Sequence, residues 1–475
     1  MKINTLLKQV RLEPVLHNHR ISKLTSDSRH CVYNAIFVAV RGSRTNGEEY
    51  IEQAILNGAR TIVTNTLVSY QFKDVNYIYV DDPAKTLGKL AQFFYYRTSK
   101  KIHLIGVTGT NGKTSTSTIA YKFFNSIGKK SMVIGSNGVY FDGYATSTNN
   151  TTPDILSIYQ FLNLAKSNHI QYVFMEISSI SVDQFRIAGL DFECIIFTNF
   201  SQDHLDYHHN LDEYLFCKMI PFIKLKKNAY AIVNKDDEAY SKIVKYCDAN
   251  IISYGFKEAC DFSATVNEVN EHGCSFYVKN GLYKSKLLGE FNLYNLLSVL
   301  TLCDIYDIPY WEYGSFLTTL EPIDGRMNQI IIEDKTIIID YAHTFKATKL
   351  VIENALRLCK GKVVVVLGCG GNREKEKRGM IGELLGSLPI QVILTTDNPR
   401  YEEPEKIVSD IKEKLEKECQ VILNRKEAVT YALNHLESND YLLILGKGSE
   451  PYMDIAGVKY PYSDYEVIEE WQRSN

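Results

Sequence analysis

The sequence predicts an α/β protein of three domains: a small first domain, a central P-loop-type domain with a mostly parallel sheet, and a Rossmann-like α/β C-terminal domain. Three observations predict it. Strand-length apolar runs alternate with helical stretches from His103 to Val233, the pattern of a parallel sheet covered on both faces. The run His103–Val107 feeds a glycine-rich turn and then a helix. A second alternation begins near Pro322. The domains read as 1–99, 100–322 and 323–475 of the 475 residues, in keeping with about 100–200 residues per domain.

The elements follow in order. In the first section Ala35–Ala39, Thr61–Thr64 and Tyr77–Val80 have strand length, and Tyr50–Gly58 reads as a helix. In the central section the strand His103–Val107 precedes the helix Thr114–Phe124. Strand candidates follow at Ser131–Ile134, Tyr172–Met175, Cys194–Phe197 and Ala229–Val233, while Asp261–Leu288 reads as hairpins. The last section places strands at Thr336–Ile339, Lys362–Leu367, Gln391–Leu394 and Tyr441–Leu445. Helices at Thr348–Cys359, Pro404–Leu415 and Arg425–His435 lie between them.

Composition is that of a soluble globular chain, 45% hydrophobic and 23% charged. The 53 basic and 56 acidic residues give a net charge of −3, which argues against a nucleic-acid binder with a basic face. Ten scattered cysteines without a C-x-x-C pair point to reduced thiols, most of them buried. The N-terminus lacks a signal-peptide core. The apolar runs, such as Val363–Leu367, are strand-length, so no membrane span is expected. The expectation is a cytoplasmic monomer without nucleic-acid or membrane partners.

Residues Gly106–Thr114 read Gly-Val-Thr-Gly-Thr-Asn-Gly-Lys-Thr, with a strand leading in and a helix leading out. Glycines let the backbone turn tightly, so that several N–H groups face one anion. The helix N-terminus adds positive potential. Lys113 can reach the terminal phosphates of ATP, and Thr114 offers a hydroxyl to Mg²⁺. The common pattern G-x-x-x-x-G-K-[ST] would need glycine where this chain has Val107.

Gly109-Thr110-Asn111-Gly112-Lys113-Thr114 resembles the variant phosphate loop of the Mur ligase family. Further along the chain, Glu176-Ile-Ser-Ser resembles that family's E-x-S-S segment. Thr198-Asn-Phe-Ser-Gln-Asp-His-Leu-Asp-Tyr-His208 resembles its T-N-x-x-x-D-H-L-D-Y-H segment. Gly325-Arg-Met and Asp340-Tyr-Ala-His343 resemble its C-terminal segments. Within the family the resemblance is to the MurE type, on Ser26-Asp-Ser-Arg29, Thr151-Thr-Pro153, Gly368-Cys-Gly-Gly-Asn-Arg373, Asp397-Asn-Pro-Arg400 and Gly446-Lys-Gly-Ser-Glu450.

The resemblance implies an ATP-dependent ligase. It would add meso-diaminopimelate to a UDP-muramoyl dipeptide through an acyl phosphate, in peptidoglycan synthesis, with residues 1–99 binding the uridine end. It assigns catalysis to Lys113, Glu176, His204 and Lys218. It gives Mg²⁺, two ions in all, the ligands Thr114, Glu176, His204 and Lys218, the lysine carbamylated by CO₂. ATP falls to Gly109, Thr110, Asn111, Gly112, Lys113, Thr114 and Ser115, and further to Asn292, Asn295, Arg326, Asp340 and His343. The muramoyl-peptide side falls to Ser28, Thr151, Thr152, Ser179, Gln184 and Arg186. The amino-acid pocket falls to Arg378, Asp397, Asn398, Arg400, Gly446 and Glu450. Arg400 can grip a distal carboxylate and Glu450 a distal ammonium.

Plainer readings stand beside these. Lys218 reads also as a solvated helix lysine, Asn292 and Asn295 as a helix N-cap and its neighbour, Ser28 and the threonines as turn or cap residues, His343 as structural, and Arg400 as an exposed loop cation. The chain departs from the family pattern at Ile180, Phe345, Lys346, Gly379 and Ser449. A divergent ligase joining another amino acid to another acceptor is therefore the alternative function. A catalytically silent nucleotide-binding scaffold is a third reading, against which Lys113, Glu176, His204 and Lys218 argue.

Overall fold

The computed structural model describes residues 1–42, 45–95 and 102–474. The expected boundary at 99/100 lies outside them. The chain forms two compact units. The first comprises Met1–Gly106, Gly128–Ile195 and Cys217–Tyr230, the second Val107–Ile127, Ile196–Phe216 and Ala231–Asn475.

In the first unit a parallel four-stranded sheet runs Leu24–Thr25, Ala35–Val38, Ala59–Thr64, Asn76–Tyr79, in space as in sequence. Ala35–Val38 is buried at every position. Both faces are covered, so its sequence is an unbroken apolar run and not an alternation. The helix Ile51–Leu56 starts one residue later than expected, because residues 47–50 form a 3-10 turn ahead of it, and ends two residues earlier, ahead of Gly58 at φ +108°. The helix Pro83–Phe94 adds to the expected elements. Asp82 caps it by accepting from the Lys85 N–H, and Pro83 takes the first turn, where a missing N–H costs nothing.

Also in this unit, Ser131–Gly135 pairs in parallel with Tyr172–Glu176 and antiparallel with Gly138–Phe141, which turns back into Tyr144–Thr146. This meander departs from the expected parallel alternation. Its last two strands are short and partly exposed, so they carry no apolar run. Gly138 sits at φ +93°, where a Cβ would meet the Thr146 carbonyl oxygen at 2.3 Å.

In the second unit the expected hairpins are present as Phe262–Asn270, Gly273–Val278 and Gly281–Ser285. The second turn has two residues, Lys279 and Asn280, both at positive φ, the twist that a two-residue hairpin loop favours. A six-stranded sheet follows, ordered Asn328–Ile332, Lys335–Asp340, Tyr441–Leu445, Val363–Leu367, Gln391–Leu394, Gln420–Val421. All its neighbours are parallel except the opening hairpin. Side chains alternate between its faces. Val363, Val365 and Leu367 pack with Val351, Ile352, Ile381, Leu385, Ile407 and Ile411 of the helices Phe345–Leu358, Glu376–Ser387 and Pro404–Lys412. Val364 and Val366 pack with Ala428, Val429, Val467 and Ile468 of the helices Arg425–Asn434 and Asp464–Ser474.

The loops after Asp340, Leu367, Leu394 and Leu445 all leave the carboxyl ends of parallel strands, where open α/β sheets place ligands. A hairpin, Tyr452–Ile455 with Val458–Pro461, follows the last of them. Seven of the ten cysteines are buried and none forms a disulfide. Among the described residues no helix is long and apolar enough to cross a membrane.

Candidate active site

The phosphate loop lies in the second unit and is built by its glycines. Gly109 sits at φ +145°, and a Cβ there would lie 1.9 Å from Thr198 Oγ1. Gly112 sits at φ +86°, 2.5 Å by the same measure from Asn295 Oδ1. No other residue type fits either place without moving Asn295 behind Gly112 or the segment Thr198–Asn199 behind Gly109. That segment fixes the loop. The Thr110 N–H donates to the Asn199 carbonyl at 2.8 Å, and the Asn111 N–H to Asn199 Oδ1 at 3.0 Å. Thr198 Oγ1 donates to the Asn111 carbonyl at 2.6 Å. Lys113 folds back over the loop, its Nζ 2.9 Å from both the Gly109 and Thr110 carbonyls. The helix Lys113–Ser126 begins at Gly112 without a side-chain cap, and a helix N-terminus carries the positive potential that favours an anion. Ser115 is buried in its first turn, and Val107 is fully buried in the strand before the loop. Position 107 therefore packs as core and needs no glycine.

Gly289, not Asn292, is the N-cap of the helix Glu290–Ile305. Asn292 and Asn295 are buried and link that helix to the phosphate-loop helix: Asn295 Nδ2 donates to Asn292 Oδ1 at 2.9 Å, and Thr116 Oγ1 donates to Asn295 Oδ1 at 3.3 Å. Arg326 donates to Thr114 Oγ1 at 3.1 Å, and its guanidinium lies 4.4 Å from the Tyr341 ring centroid. Asp340 accepts the Met327 and Ala342 N–H groups at 2.6 and 2.7 Å. Burial raises its pKa, with Arg326 and these bonds opposing. His343 Nδ1 lies 2.8 Å from the Tyr341 carbonyl, and its Nε2 lies 3.7 Å from Asp203.

Asp203 gathers basic side chains here. His204 Nε2 stands 3.4 Å from it and Lys377 Nζ 3.7 Å. Burial alone would raise the Asp203 pKa, but His204, His343 and Lys377 outweigh burial and hold the carboxyl well below its ordinary value. His204 takes φ +56°, a conformation that β-carbon residues adopt only when their surroundings impose it. Gln202 Nε2 donates to Glu374 at 2.6 Å. Asp203 and Lys377 lie inside or beside the sequence motifs, yet spacing alone does not bring them together.

In the first unit Glu176 is 1% exposed. It accepts the Ser136 N–H at 3.0 Å and the Ser136 hydroxyl at 3.1 Å. Gly135 makes room for it, since a Cβ there would lie 2.1 Å from Glu176 Oε1. Thr151 Oγ1 is 3.0 Å from Ser136 Oγ. Thr152 Oγ1 donates to the Glu176 carbonyl at 2.8 Å and accepts the Ser178 N–H at 3.0 Å. Arg186 donates to the Thr152 carbonyl at 3.0 Å and to Gln184. Ser179 and Ile180 open the helix Ser179–Asp183 behind the cap Ser178. Ser28 is buried with its hydroxyl on Gln53 Oε1 at 2.8 Å, and the 3-10 turn Ser28–His30 that it opens is capped by Asp27. Lys218, on the helix Leu211–Ile223, is 1% exposed. The solvated-lysine reading does not hold. No group of three or more His, Cys, Asp or Glu able to hold a metal occurs among the described residues.

The remaining residues meet at the carboxyl ends of the second unit's sheet. Asn398 is the junction. Its Nδ2 donates to Glu450 Oε2 at 2.8 Å, while its Oδ1 accepts Lys447 Nζ at 3.1 Å and the Asp454 N–H at 2.8 Å. Lys447 is buried, 3.7 Å from Asp397 and 3.5 Å from Glu450. Gly446 at φ +105° brings the backbone against Asp397, where a Cβ would lie 2.7 Å from Oδ2. Arg400 takes φ +51°. The hairpin holds it there: its N–H donates to the Asp454 carbonyl at 3.0 Å, and its carbonyl accepts the Ala456 N–H at 2.7 Å. Its guanidinium donates to the Gly371 carbonyl at 2.8 Å and lies 3.7 Å from the Asp454 carboxylate. Arg400 is thus a placed cation and not a free loop residue.

Arg378 is fully buried, bonded to Glu402 at 2.9 and 3.0 Å, to Asp410 at 2.7 Å and to the Gly370 carbonyl at 3.3 Å. Its geometry is that of a brace under the 370–402 loops. The Arg378 bonds hold the Glu402 carboxyl down to about 2, from an ordinary 4.5. A depressed carboxyl contributes stability that is full above its unfolded pKa and lost as pH falls through its folded one. Glu402→Gln is therefore expected to lower the urea midpoint at pH 7, and its deficit against wild type should close as pH falls from about 4.5 toward 2. A deficit constant over that range would contradict the brace.

A glycine-turned loop ahead of a helix, and charged side chains gathered at the carboxyl ends of a parallel sheet, are the arrangement of a nucleotide-using α/β enzyme. The family model "Mur ligase middle domain" matches residues 107–303, "Mur ligase, glutamate ligase domain" residues 325–448, and "Mur ligase family, catalytic domain" residues 20–95. The chain belongs to the Mur ligase family. It is 37% identical over 477 residues to the UDP-N-acetylmuramoyl-L-alanyl-D-glutamate--2,6-diaminopimelate ligase of Phocaeicola vulgatus, covering 98% of this chain and 99% of that one. It is 36% identical over 480 residues to the ligase of the same name from Bacteroides thetaiotaomicron, covering 99% of each. A solved structure of an enzyme of that name aligns at TM-score 0.71 and 26% identity, over 100% of this chain and 99% of that one.

Proposed function

We propose that this protein is an ATP-dependent amide ligase that joins meso-diaminopimelate to the D-glutamyl carboxylate of UDP-N-acetylmuramoyl-L-alanyl-D-glutamate, in the synthesis of peptidoglycan precursor. The names of relatives at 36–37% identity support the reaction. The observation that carries the amino acid is the charge order of the pocket. Arg400 is fixed on the Asp454 carbonyl and Glu450 on Asn398, and Asn398 also accepts the Asp454 N–H. One framework thus holds a cation and a carboxylate. A distal carboxylate suits Arg400 and its neighbouring ammonium suits Glu450. Lysine would answer only Glu450.

In the reaction the D-glutamyl carboxylate attacks the γ-phosphorus and ADP leaves. The amine of the incoming amino acid then attacks the acyl carbon, phosphate leaves, and the amine loses a proton. The loop 109–115 with Lys113 holds the phosphates. Thr114, Glu176, His204 and Lys218 are the proposed Mg²⁺ ligands. The donors suit a hard cation: Thr114 offers a hydroxyl oxygen, Glu176 a buried carboxylate and His204 a ring nitrogen, the oxygens being the ligand type that Mg²⁺ prefers. Mg²⁺, when bound, supplies the positive charge that lets one anion approach another. Asp203 orients His204. Ser28, Thr151, Thr152, Ser179, Gln184 and Arg186 are proposed for the muramoyl-peptide side.

The test is phosphate release across a substrate panel. Release is expected with diaminopimelate only when the UDP-muramoyl dipeptide is present, and with lysine only at far lower kcat/KM. Release driven by another amino acid instead would select the divergent ligase. Arg400→Ala should lower kcat/KM for diaminopimelate by about a hundredfold, the loss of two charge-assisted hydrogen bonds. An Arg400→Ala enzyme that still preferred diaminopimelate over lysine would remove Arg400 from the pocket.

A further inference from the structure

We propose that Tyr341 is a positioning residue that links the amino-acid pocket to the phosphate loop. This builds on the assignment of the two sites above. Tyr341 directly follows Asp340 at the end of the strand Lys335–Asp340. Its hydroxyl donates to Glu450 Oε1 at 3.3 Å. The face of its ring lies 4.4 Å from the Arg326 guanidinium, and the other end of Arg326 donates to Thr114 Oγ1 at 3.1 Å. His343 meets the ring edge-on at 4.9 Å. An unbroken run of contacts therefore leads from Thr114 through Arg326, Tyr341 and Glu450 to Asn398.

Among the described residues Tyr341, Asn398 and Lys447 bond the Glu450 carboxylate. Of these, Tyr341 alone also touches Arg326 among the described residues. Its place is built by two glycines. Gly448 at φ +54° would put a Cβ 2.9 Å from Tyr341 Cβ, and Gly325 at φ +68° would put one 2.2 Å from Ser449 N. The 446–450 loop can therefore close onto Tyr341 only with glycine at both positions. Burial pushes the Tyr341 phenol further above its ordinary value, so the hydroxyl remains a donor to Glu450 throughout the working range of pH. The ring and the hydroxyl have separate tasks. The ring faces Arg326 by a cation–π contact, and the hydroxyl fixes one carboxylate oxygen.

That division gives the test. Tyr341→Phe keeps the ring and removes only the hydroxyl. Its KM for the amino acid that drives phosphate release in the wild-type protein should rise about tenfold, with kcat and the KM for ATP within about twofold of wild type. Tyr341→Ala removes both parts and should raise both KM values. Its ADP affinity, measured by titration without any amino acid, should fall, and Tyr341→Phe should restore it. A residue that only filled space would not split the two substrates in this way. Wild-type amino-acid KM in Tyr341→Phe, or an equal rise for both substrates, overturns the proposal. So does an unchanged ADP affinity in Tyr341→Ala, which reads the phosphate side whatever the amino acid is. A wild-type enzyme inactive toward diaminopimelate overturns the proposed substrate and leaves the ADP titration to judge Tyr341.

Discussion

Lys218→Ala is expected to lower amino-acid-dependent phosphate release by about a hundredfold to a thousandfold, the range seen when one preorganised electrostatic group is removed from a reacting centre. The side chain is 1% exposed. Withdrawing an ammonium from water costs several kcal/mol or more unless it is paired or neutralised, and placing it beside Mg²⁺ would add repulsion. The proposed carbamylation would answer both. The ammonium first loses a proton, and its nitrogen then bonds the carbon of CO₂ and loses a second, so a cation would become an anion with two oxygens, the ligand type that Mg²⁺ prefers. Short carboxylic acids should then restore part of the lost rate in Lys218→Ala, because they return the missing oxygens. They should do nothing for wild type. Full activity in Lys218→Ala would remove both the modification and the residue from the mechanism, and loss without any rescue would leave the lysine needed but unmodified.

The parts of this protein legible in its sequence are those that local chemistry dictates. The phosphate loop is one, because Gly109 and Gly112 sit at backbone angles and approach distances that glycine alone meets. The inner strands of the C-terminal sheet are another. Val363–Leu367 is buried throughout, and burial on both faces writes an apolar run into the chain. The hairpin Tyr452–Ile455 with Val458–Pro461 is the opposite case. Its strands are largely exposed, so no periodicity marks them, yet Asp454 and Ala456 are what hold Arg400 in its left-handed conformation. Pairings between distant segments were equally hidden. Lys218 could have been a surface lysine by composition, and only burial decides it. Arg378 stands out by motif alone, and its bonds to Glu402 and Asp410 come only with the fold. Asp203 could have been any acid in an acidic motif until His343 and Lys377 arrived beside it.

The largest stability effect is expected at the buried pair Arg425 and Asp464, which no motif announces. Both side chains are fully excluded from solvent. Asp464 receives Arg425 Nε and NH2 at 2.9 Å each, and Tyr462 adds a third bond at 2.8 Å. Asp464→Ala leaves a guanidinium with no counter-charge in the interior and should cost about 3–5 kcal/mol of unfolding free energy. Replacing both residues by apolar ones of similar size, Arg425→Met with Asp464→Leu, should recover most of that loss, because the cost lies in the stranded charge and not in the missing pair. The pair also has a functional reach. Arg425 NH2 donates to the Leu445 carbonyl at 3.0 Å, the last residue of the strand before Gly446 and the pocket loop. The double variant should therefore fold stably and still show a raised KM for the amino acid, with the KM for ATP unchanged. Urea unfolding and the two KM values separate these effects. A double variant as unstable as Asp464→Ala would mean that packing, and not charge, governs the site. A double variant with wild-type KM would mean that Leu445 is held in place by its own strand alone.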